Sequence, residues 1–521
     1  PCPMDVDRYQ PTHPVRFVTA TSLFDGHDAA INIMRRILQQ TGAEVIHLGH
    51  NRSVQEIVDT AIEEDAQGIA VSSYQGGHME YFKYMHDLLE ERGAEHVRVY
   101  GGGGGVIVAE EKEELEDYGI AHIYSPDEGM DMGLQGMIND MVEACDFPVV
   151  DAEFHVPDDV PMRDPRVVAR NLTRVEAPEP ERAAVVVGAE QEADSQSVDG
   201  DPRGDGSPEK MDVETLNVER SNVPTLGITG TGGAGKSTLT DELVRRFLND
   251  HDDLELAVLS VDPTRRRTGG ALLGDRIRMN AIYGTNADRV YMRSFATRAA
   301  NRTTTEALKE AIGVCQAADF DLILVETAGI GQSDTEIVDL TDLTLYVMTH
   351  DFGAPTQLEK IGMLDLADFV AINKFEKRGS EDALRDVRKQ VQRNRMRFDE
   401  DPEEMPVYPT MASRFGDPGV TRLYLGLLDR LNANFDFERE SGTYDADEVP
   451  EPDPSEVAII PPDRQRYLGE IAETFDAYHD WVERPVEYAR KWGAAKCARQ
   501  QVEDWAPADQ APIPRRPAQM Q

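Results

Sequence analysis

Long apolar runs are missing from this sequence: none reaches the roughly 18 residues that a membrane span needs. Cysteine is almost as scarce. Cys2, Cys145, Cys315 and Cys497 are the only four in 521 residues, and they are scattered, with no CxxC pair. That excludes a disulfide framework and points to a reducing cytosol. Positive charge is also short, with 53 Lys and Arg against 97 Asp and Glu, for a formal net charge of −44. A balance this acidic disfavours nucleic acid and anionic membrane surfaces as general partners. The carboxylates are spread over the whole chain, as expected of an enzyme kept hydrated in a high-salt cell. The first ten residues, PCPMDVDRYQ, have neither the charge nor the apolar core of a signal peptide.

What is present is a repeated alternation. Short apolar runs (15–20, 44–49, 68–73, 97–102 and 121–124) alternate with amphipathic stretches such as AAINIMRRILQQTG, each closed by Gly as a helix cap would be. Strands and helices in this order give a parallel sheet with helices on both faces. Five such units suit a flavodoxin-like domain. From Asp146 to about Asn222 the pattern gives way to Pro, Asp, Glu, Ser and Gly, the composition of an unstructured linker. A second βα alternation starts at Pro224 and runs to about Asn434. The expected fold is α/β: two doubly wound parallel-sheet domains, flavodoxin-like over 12–148 and P-loop over 223–436. An acidic linker (149–222) joins them, and a helical connector with a disordered tail (437–521) follows.

The first domain carries Asp25-Gly26-His27-Asp28-Ala29-Ala30 directly after its first strand. Ser72 to His78 follow the third strand, Gly101 to Gly105 the fourth, and Tyr124-Ser125-Pro126 the fifth. All four lie at the carboxyl edge of the sheet, where open α/β sheets bind ligands. Consecutive glycines there leave a slot for a long inserted group. These residues resemble the cobalamin-binding domain of adenosylcobalamin-dependent mutases, which carries Asp-x-His-x-x-Gly, Ser-x-Leu and Gly-Gly at these three places. The resemblance implies that His27 is the lower cobalt ligand and that Asp25 fixes its tautomer. It also implies that Ser72 meets the displaced nucleotide tail and that Gly102, Gly103 and Gly104 line its slot. Two positions depart from the pattern: Ala30 stands for the last Gly, and Tyr74 for the Leu.

The second domain opens with Gly230-Thr231-Gly232-Gly233-Ala234-Gly235-Lys236-Ser237, a GxxxxGK[ST] match between an apolar strand and a helix. Backbone N–H groups of Gly233, Ala234, Gly235 and Thr238 are placed to cradle phosphates, Lys236 to reach the β- and γ-phosphates, and Ser237 to bind Mg²⁺. Glu326 ends a later apolar strand, where P-loop proteins put a carboxylate facing the magnesium. Asn373-Lys374-Phe375-Glu376 resembles the guanine-reading NKxD, with Glu376 for Asp, and Thr410 to Ser413 stand where the last base-contacting loop belongs.

Val261-Asp262-Pro263, Gly269 to Met279 and Glu326 to Gln332 resemble the GTPase chaperones that load and protect cobalamin mutases. By that likeness Asp262 and Asp275 join Ser237 and Glu326 around magnesium, and Val261 and Thr327 flank it. Arg278 reaches the nucleotide, and Lys236 and Asp275 carry the hydrolysis. The run Arg265-Arg266-Arg267-Thr268-Gly269-Gly270 is expected to be a mobile switch. No Gln directly follows Gly329, so hydrolysis without a partner is expected to be slow.

Cobalamin domain, linker and GTPase, in that order, resemble the front of the fused isobutyryl-coenzyme A mutases. The resemblance implies adenosylcobalamin, GTP and Mg²⁺ as cofactors, a homodimer, and a barrel domain or subunit that binds the acyl-CoA. No barrel is present in these 521 residues, so this polypeptide alone is expected not to isomerise a substrate. Two other classes stay open: a cobalamin-sensing GTPase switch acting on a non-mutase partner, and a corrinoid methyl carrier.

Overall fold

The computed structural model describes residues 6–150, 161–177, 223–262, 269–296, 304–327, 333–352 and 361–453, with a few isolated positions elsewhere. The chain divides into two units, 1–454 and 455–521, and the architecture below belongs to the first. The expected connector helix falls, apart from isolated positions, outside the described residues.

The first domain runs β1 (Arg16–Ser22), α1 (Ala29–Thr41), β2 (Glu44–Arg52), α2 (Val54–Glu63), β3 (Gly68–Ser72), α3 (His78–Glu91), β4 (Arg98–Gly102), α4 (Ala109–Tyr118), β5 (His122–Tyr124) and α5 (Pro126–Ala144). Local sequence fixes the boundaries. Ser53 and Glu56 form a reciprocal cap at the start of α2, and Ser125 and Glu128 do the same for α5, where Pro126 takes the first helical position. Helix α1 stops at Gly42, whose φ of 107° costs a glycine nothing. β1 is buried along its whole length, as a central strand covered on both faces must be.

The stretch expected to be a linker contains a helix, α6 (Pro165–Glu176). Val168, Leu172 and Val175 on this helix are buried in one apolar cluster with Leu308 and Ile312 of the second domain. Arg170, also buried, pairs with Asp65 of the first domain at 3.0 Å. The physical reason is a stripe of valine and leucine at helical spacing within an otherwise polar stretch. Two short strands follow, β6 (Val185–Val186) and β7 (Lys210–Met211), paired antiparallel; the rest of the expected linker lies outside the described residues.

The second domain holds β8 (Thr225–Gly230), α7 (Lys236–Asp250), β9 (Leu256–Asp262), β10 (Ala271–Leu273), β11 (Val290–Ala296), α8 (Thr304–Ala317), β12 (Leu322–Glu326), α9 (Ser333–Leu340), β13 (Leu343–Met348), β14 (Phe369–Asn373) and β15 (Val407–Thr410). Six of its strands and β8 make one parallel sheet, in the order β11-β9-β12-β8-β13-β14-β15. The remaining strand, β10, joins the other sheet, whose order is β10-β2-β1-β3-β4-β5. Ala271, Leu272 and Leu273 run parallel to Glu44, Val45 and Ile46. The second domain therefore completes the sheet of the first, and Ala271 and Leu273 are buried in the core cluster of that sheet.

Beside this shared strand lies a buried ionic network. Arg276 reaches Glu63 and Glu64 at the end of α2, and donates to the carbonyl of Met292 at 2.9 Å. Arg16 pairs with Glu44 at 2.8 Å, Glu64 at 3.2 Å and Glu176 at 2.8 Å. Arg293 pairs with Glu176 at 2.6 Å. Burial pushes the Glu63 carboxyl up, and Arg276 works against that shift.

Candidate functional site: two ligand sites joined by one strand

Asp25 and His27 lie on the loop between β1 and α1. Asp25 is buried, and its Oδ1 accepts from the backbone N–H of His27 at 2.9 Å and meets His27 Nδ1 at 2.7 Å. Its Oδ2 accepts from the backbone N–H of Tyr74 at 2.5 Å. Burial raises the carboxyl, but the Tyr74 and His27 N–H groups outweigh it and hold Asp25 below its usual range. An ionised Asp25 keeps the proton on Nδ1 and turns the Nε2 lone pair outward, as a metal ligand needs. The His27 side chain is 75% exposed, open to a large partner.

Behind it lies a cavity of about 250 Å³ that includes Ser72, Gly102, Gly103, Gly104 and Tyr124 in its wall. The glycines differ in role. A Cβ on Gly103 would stand 2.1 Å from the Ser73 carbonyl oxygen, and one on Gly101 would stand 2.5 Å from Phe82. A Cβ on Gly102 would make only ordinary contact. Gly104, at φ +57°, faces the Tyr74 ring. Among the described residues, the hydroxyl of Ser72, which lines this cavity, is buried without a hydrogen-bond partner. Unsatisfied buried hydroxyls are costly, so a polar ligand entering the slot would be favoured. The residues present fit a corrinoid with a displaced tail. Ala30, the first departure, lines the same cavity. Tyr124, Ser125 and Pro126, expected at this edge, line it too, whereas sequence reasoning missed Met137, which reads as core at its position.

The second site forms at the carboxyl ends of β8, β9 and β12. Gly233 and Gly235 take φ of 75° and 90°, which aims the loop's N–H groups inward ahead of α7. Lys236 Nζ donates to the carbonyl of Gly230 at 3.1 Å. Ser237 Oγ lies 3.0 Å from Asp275 and 2.7 Å from Glu326. Asp262 accepts from the Gly274 N–H at 3.1 Å. Burial, and then the neighbouring carboxylates, push the Asp262 and Glu326 carboxyls up. Three acids crowded this way favour a divalent cation among them. Among the described residues no three acidic or imidazole side chains converge on one metal position. The Ser237 hydroxyl instead bridges two of the carboxylates.

The other expected residues divide. Arg278 sits beside Asp275 at 3.0 Å, its side chain 61% exposed toward solvent. The Thr327 hydroxyl is buried against Thr229 at 2.9 Å. The Val261 side chain is buried in the core, so only its backbone could face a metal. Asn373 donates from Nδ2 to the Ala234 carbonyl at 2.8 Å and accepts from the Ala412 N–H at 3.1 Å. Lys374 donates to the Gly233 carbonyl at 2.8 Å. These two residues tie the base-reading loops to the phosphate loop, while Glu376 stands exposed. Thr238 follows Ser237 in the first turn of α7. Residues 265–268 of the expected switch, and Ala328 to Gln332, lie outside the described residues. Sequence reasoning missed Thr240 and Ser260. Thr240 donates to Glu326 at 2.9 Å and Ser260 to Asp275 at 3.0 Å, so each fixes one carboxylate.

The two sites are joined through the chain itself. Asp262 ends β9, Asp275 follows β10, and β10 lies in the cobalamin-side sheet. Arg276, next to Asp275, ends in the acidic pair at the end of α2.

Comparison with known proteins agrees with both halves. The B12 binding domain family matches residues 15–134, and the methylmalonyl-CoA mutase-associated GTPase MeaB family matches residues 210–446. A fused isobutyryl-CoA mutase of Geobacillus kaustophilus is 54% identical over 503 residues, which is 95% of this chain and 44% of that protein. A fused isobutyryl-CoA mutase of Cupriavidus metallidurans is 53% identical over 482 residues, 92% of this chain and 41% of that protein. GTPase ArgK of Escherichia coli is 35% identical over 153 residues, 29% of this chain and 45% of that protein. The chain spans less than half the length of the fused relatives it matches. With the Asp25–His27 loop on one sheet, a GxxxxGKS loop on the other and a strand between them, this chain carries a B12 binding domain followed by a MeaB-type GTPase domain, and over both it is a relative of the fused isobutyryl-CoA mutases.

Proposed function

We propose that this chain is the cofactor-handling part of an acyl-CoA mutase, in which GTP hydrolysis gates the loading and protection of adenosylcobalamin. The observation that carries the proposal is β10, since this three-residue strand is part of the cobalamin-side sheet and lies in the chain between Asp262 and Asp275, two residues before the latter. A change at the magnesium site would then reach β2 through β10, its hydrogen-bonded neighbour. When bound, adenosylcobalamin supplies a cobalt–carbon bond that cleaves homolytically. His27 would hold the cobalt through Nε2, Asp25 would keep the Nδ1 proton in place, and Ser72 with the glycine slot would take the nucleotide tail.

In the second domain Ser237, Asp262, Asp275 and Glu326 hold Mg²⁺, with the Val261 backbone and Thr327 flanking. Lys236 and Arg278 neutralise the phosphates, Asp275 and Lys236 support hydrolysis, and Asn373, Lys374 and Glu376 form the base site. The reaction served is the interconversion of isobutyryl-CoA and n-butyryl-CoA in the cytoplasm, with an acyl-CoA-binding barrel as partner and a homodimer as the assembly.

The test is a pair of variants. His27→Ala is expected to weaken cobalamin binding at least tenfold while GTP hydrolysis continues. Lys236→Ala is expected to abolish hydrolysis while cobalamin still binds. Unchanged cobalamin affinity in the first, or retained turnover in the second, refutes the corresponding assignment.

A further inference from the structure

The carboxyl end of β2 is irregular. Its pairing with β1 shifts by one residue between His47 and Gly49, and again between Gly49 and Arg52. Bulges of this kind re-aim the side chains around them. Two residues of the second domain pack on this end. Ile277 lies against Gly49, where a Cβ would stand 2.9 Å from the Ile277 Cδ1, so a side chain at 49 is shut out. Arg52 Cζ lies 5.2 Å from the centre of the Tyr283 ring. Ile277 belongs to the single turn Asp275–Arg278. Asp275, in the same turn, accepts from Ser237 at 3.0 Å and from Ser260 at 3.0 Å. The magnesium-site carboxylate and the residue that presses on β2 therefore move together.

The same end of β2 holds the loop of the first site. Asn51 Oδ1 accepts from the backbone N–H of Phe24 at 2.8 Å. Phe24 directly precedes Asp25, whose own N–H donates to the Ser22 carbonyl at 3.1 Å. Phe24 and Asn51 both take left-handed backbone, with φ of 64° and 59°. Asparagine adopts that conformation readily, but a bulky aromatic does so only where its surroundings impose it. The Phe24 side chain is 84% exposed, so packing does not impose it. The constraint falls to the backbone, with the Asn51 bond on one side and the turn at Asp25 on the other. Strained backbone held in this way gathers at switch regions.

We propose that Asn51 is a positioning residue through which the nucleotide site sets the loop of Asp25 and His27. A movement of Asp275 carries Ile277, Ile277 shifts the Gly49–Arg52 end of β2, and Asn51 passes the shift to Phe24. This rests on the gating reading above and deepens it: β10 brings the magnesium site to β2, and Asn51 leads from β2 to the cobalt ligand. The contacts stand in series. Breaking the route at either end then gives the same loss, and breaking it at both ends gives no more.

The experiment is equilibrium dialysis of adenosylcobalamin against the full chain, saturated with GDP or with a non-hydrolysable GTP analogue. The ratio of the two affinities is the readout, and it does not depend on which nitrogen holds the cobalt. GTP hydrolysis by the same samples reports that the variants are folded. The wild-type ratio is expected to be at least about fivefold, the lower end of the usual coupling between sites. Asn51→Gly keeps the left-handed backbone and removes only the acceptor, and Ile277→Ala removes the contact on Gly49. Each is expected to abolish the nucleotide dependence, and the double variant to behave as they do. Asn51→Asp, which still accepts from the Phe24 N–H, is expected to keep it. In the corrinoid-free chain, hydrogen exchange at amides 24–27 is expected to differ between the two nucleotides in the wild type and to be equal in Ile277→Ala. A dependence that survives in Asn51→Gly or Ile277→Ala overturns the proposal, as do partial losses that add in the double variant. So does its loss in Asn51→Asp, or wild-type exchange at 24–27 that ignores the nucleotide. Equal wild-type affinities with the two nucleotides would instead overturn the gating reading, and this proposal with it.

Discussion

Arg276 offers the sharpest test of how the two domains are held. It is 2% exposed, with its guanidinium reaching Glu63 and Glu64 and donating to the Met292 carbonyl. Arg276→Met keeps the length and apolar stem but removes every one of these bonds. Glu64 retains Arg16 and the Ser294 N–H, so its charge stays compensated. Glu63 loses its ion-pair partner while buried. Removing one member of a buried ion pair costs about 3–5 kcal/mol. For a unit of 150–250 residues that corresponds to a fall in Tm on the order of 10 °C. The distinguishing assay adds Glu63→Gln. If the cost is the orphaned carboxylate, the double variant recovers part of the loss, and the deviation from additivity gives the coupling. Hydrogen exchange gives the location: amides in 44–46 and 271–273, where β10 meets β2, lose protection before the P-loop helix does. A Tm change below about 2 °C, or strict additivity with no local loss of protection, refutes the argument.

Other expectations follow from single groups. His47 is buried beside Thr19, and burial first, then the Arg35 charge, lowers its pKa to about 4. A folded value below the unfolded one means that the unfolded chain binds the proton more readily, so stability falls as pH drops from about 6.5 to about 4. His47→Gln should flatten that part of the acid-unfolding curve by up to about 3 kcal/mol; an unchanged slope there refutes it. Gly103→Ala places a Cβ 2.1 Å from the Ser73 carbonyl oxygen, so the backbone must shift, and the cavity wall with it. Corrinoid affinity is expected to fall at least tenfold while GTP hydrolysis stays; equal affinity refutes the cradle argument.

Much of this was legible from residues alone. The apolar runs at 44–49, 68–73 and 97–102 became β2, β3 and β4 within a few residues, because buried parallel strands read as continuous apolar stretches. The P-loop was legible since its glycines are demanded by φ. What was hidden depended on contacts far apart in sequence. β10 is three residues between glycines and carries no periodicity, so only its pairing with β2 makes it a strand. Helix α6 was masked by its acidic, Pro-rich surroundings, although Val168, Leu172 and Val175 share one face. Glu63 and Glu64 end a helix, where acids are unfavourable, and that was the readable hint of a buried cationic partner. Thr240 and Ser260 gave no signal, since polar residues on helices and strands are usually incidental.

The shared strand has a practical consequence for anyone dividing the chain. Residues 12–148 expressed alone would leave the backbone groups of Glu44, Val45 and Ile46 on the β10 side of β2 unpaired. A bare, apolar sheet flank of that kind is a template for pairing with other copies. Fragments cut at the apparent boundary are then prone to stick to one another, and soluble preparations will be those that keep the donated strand, in cis or as an added peptide spanning 269–279.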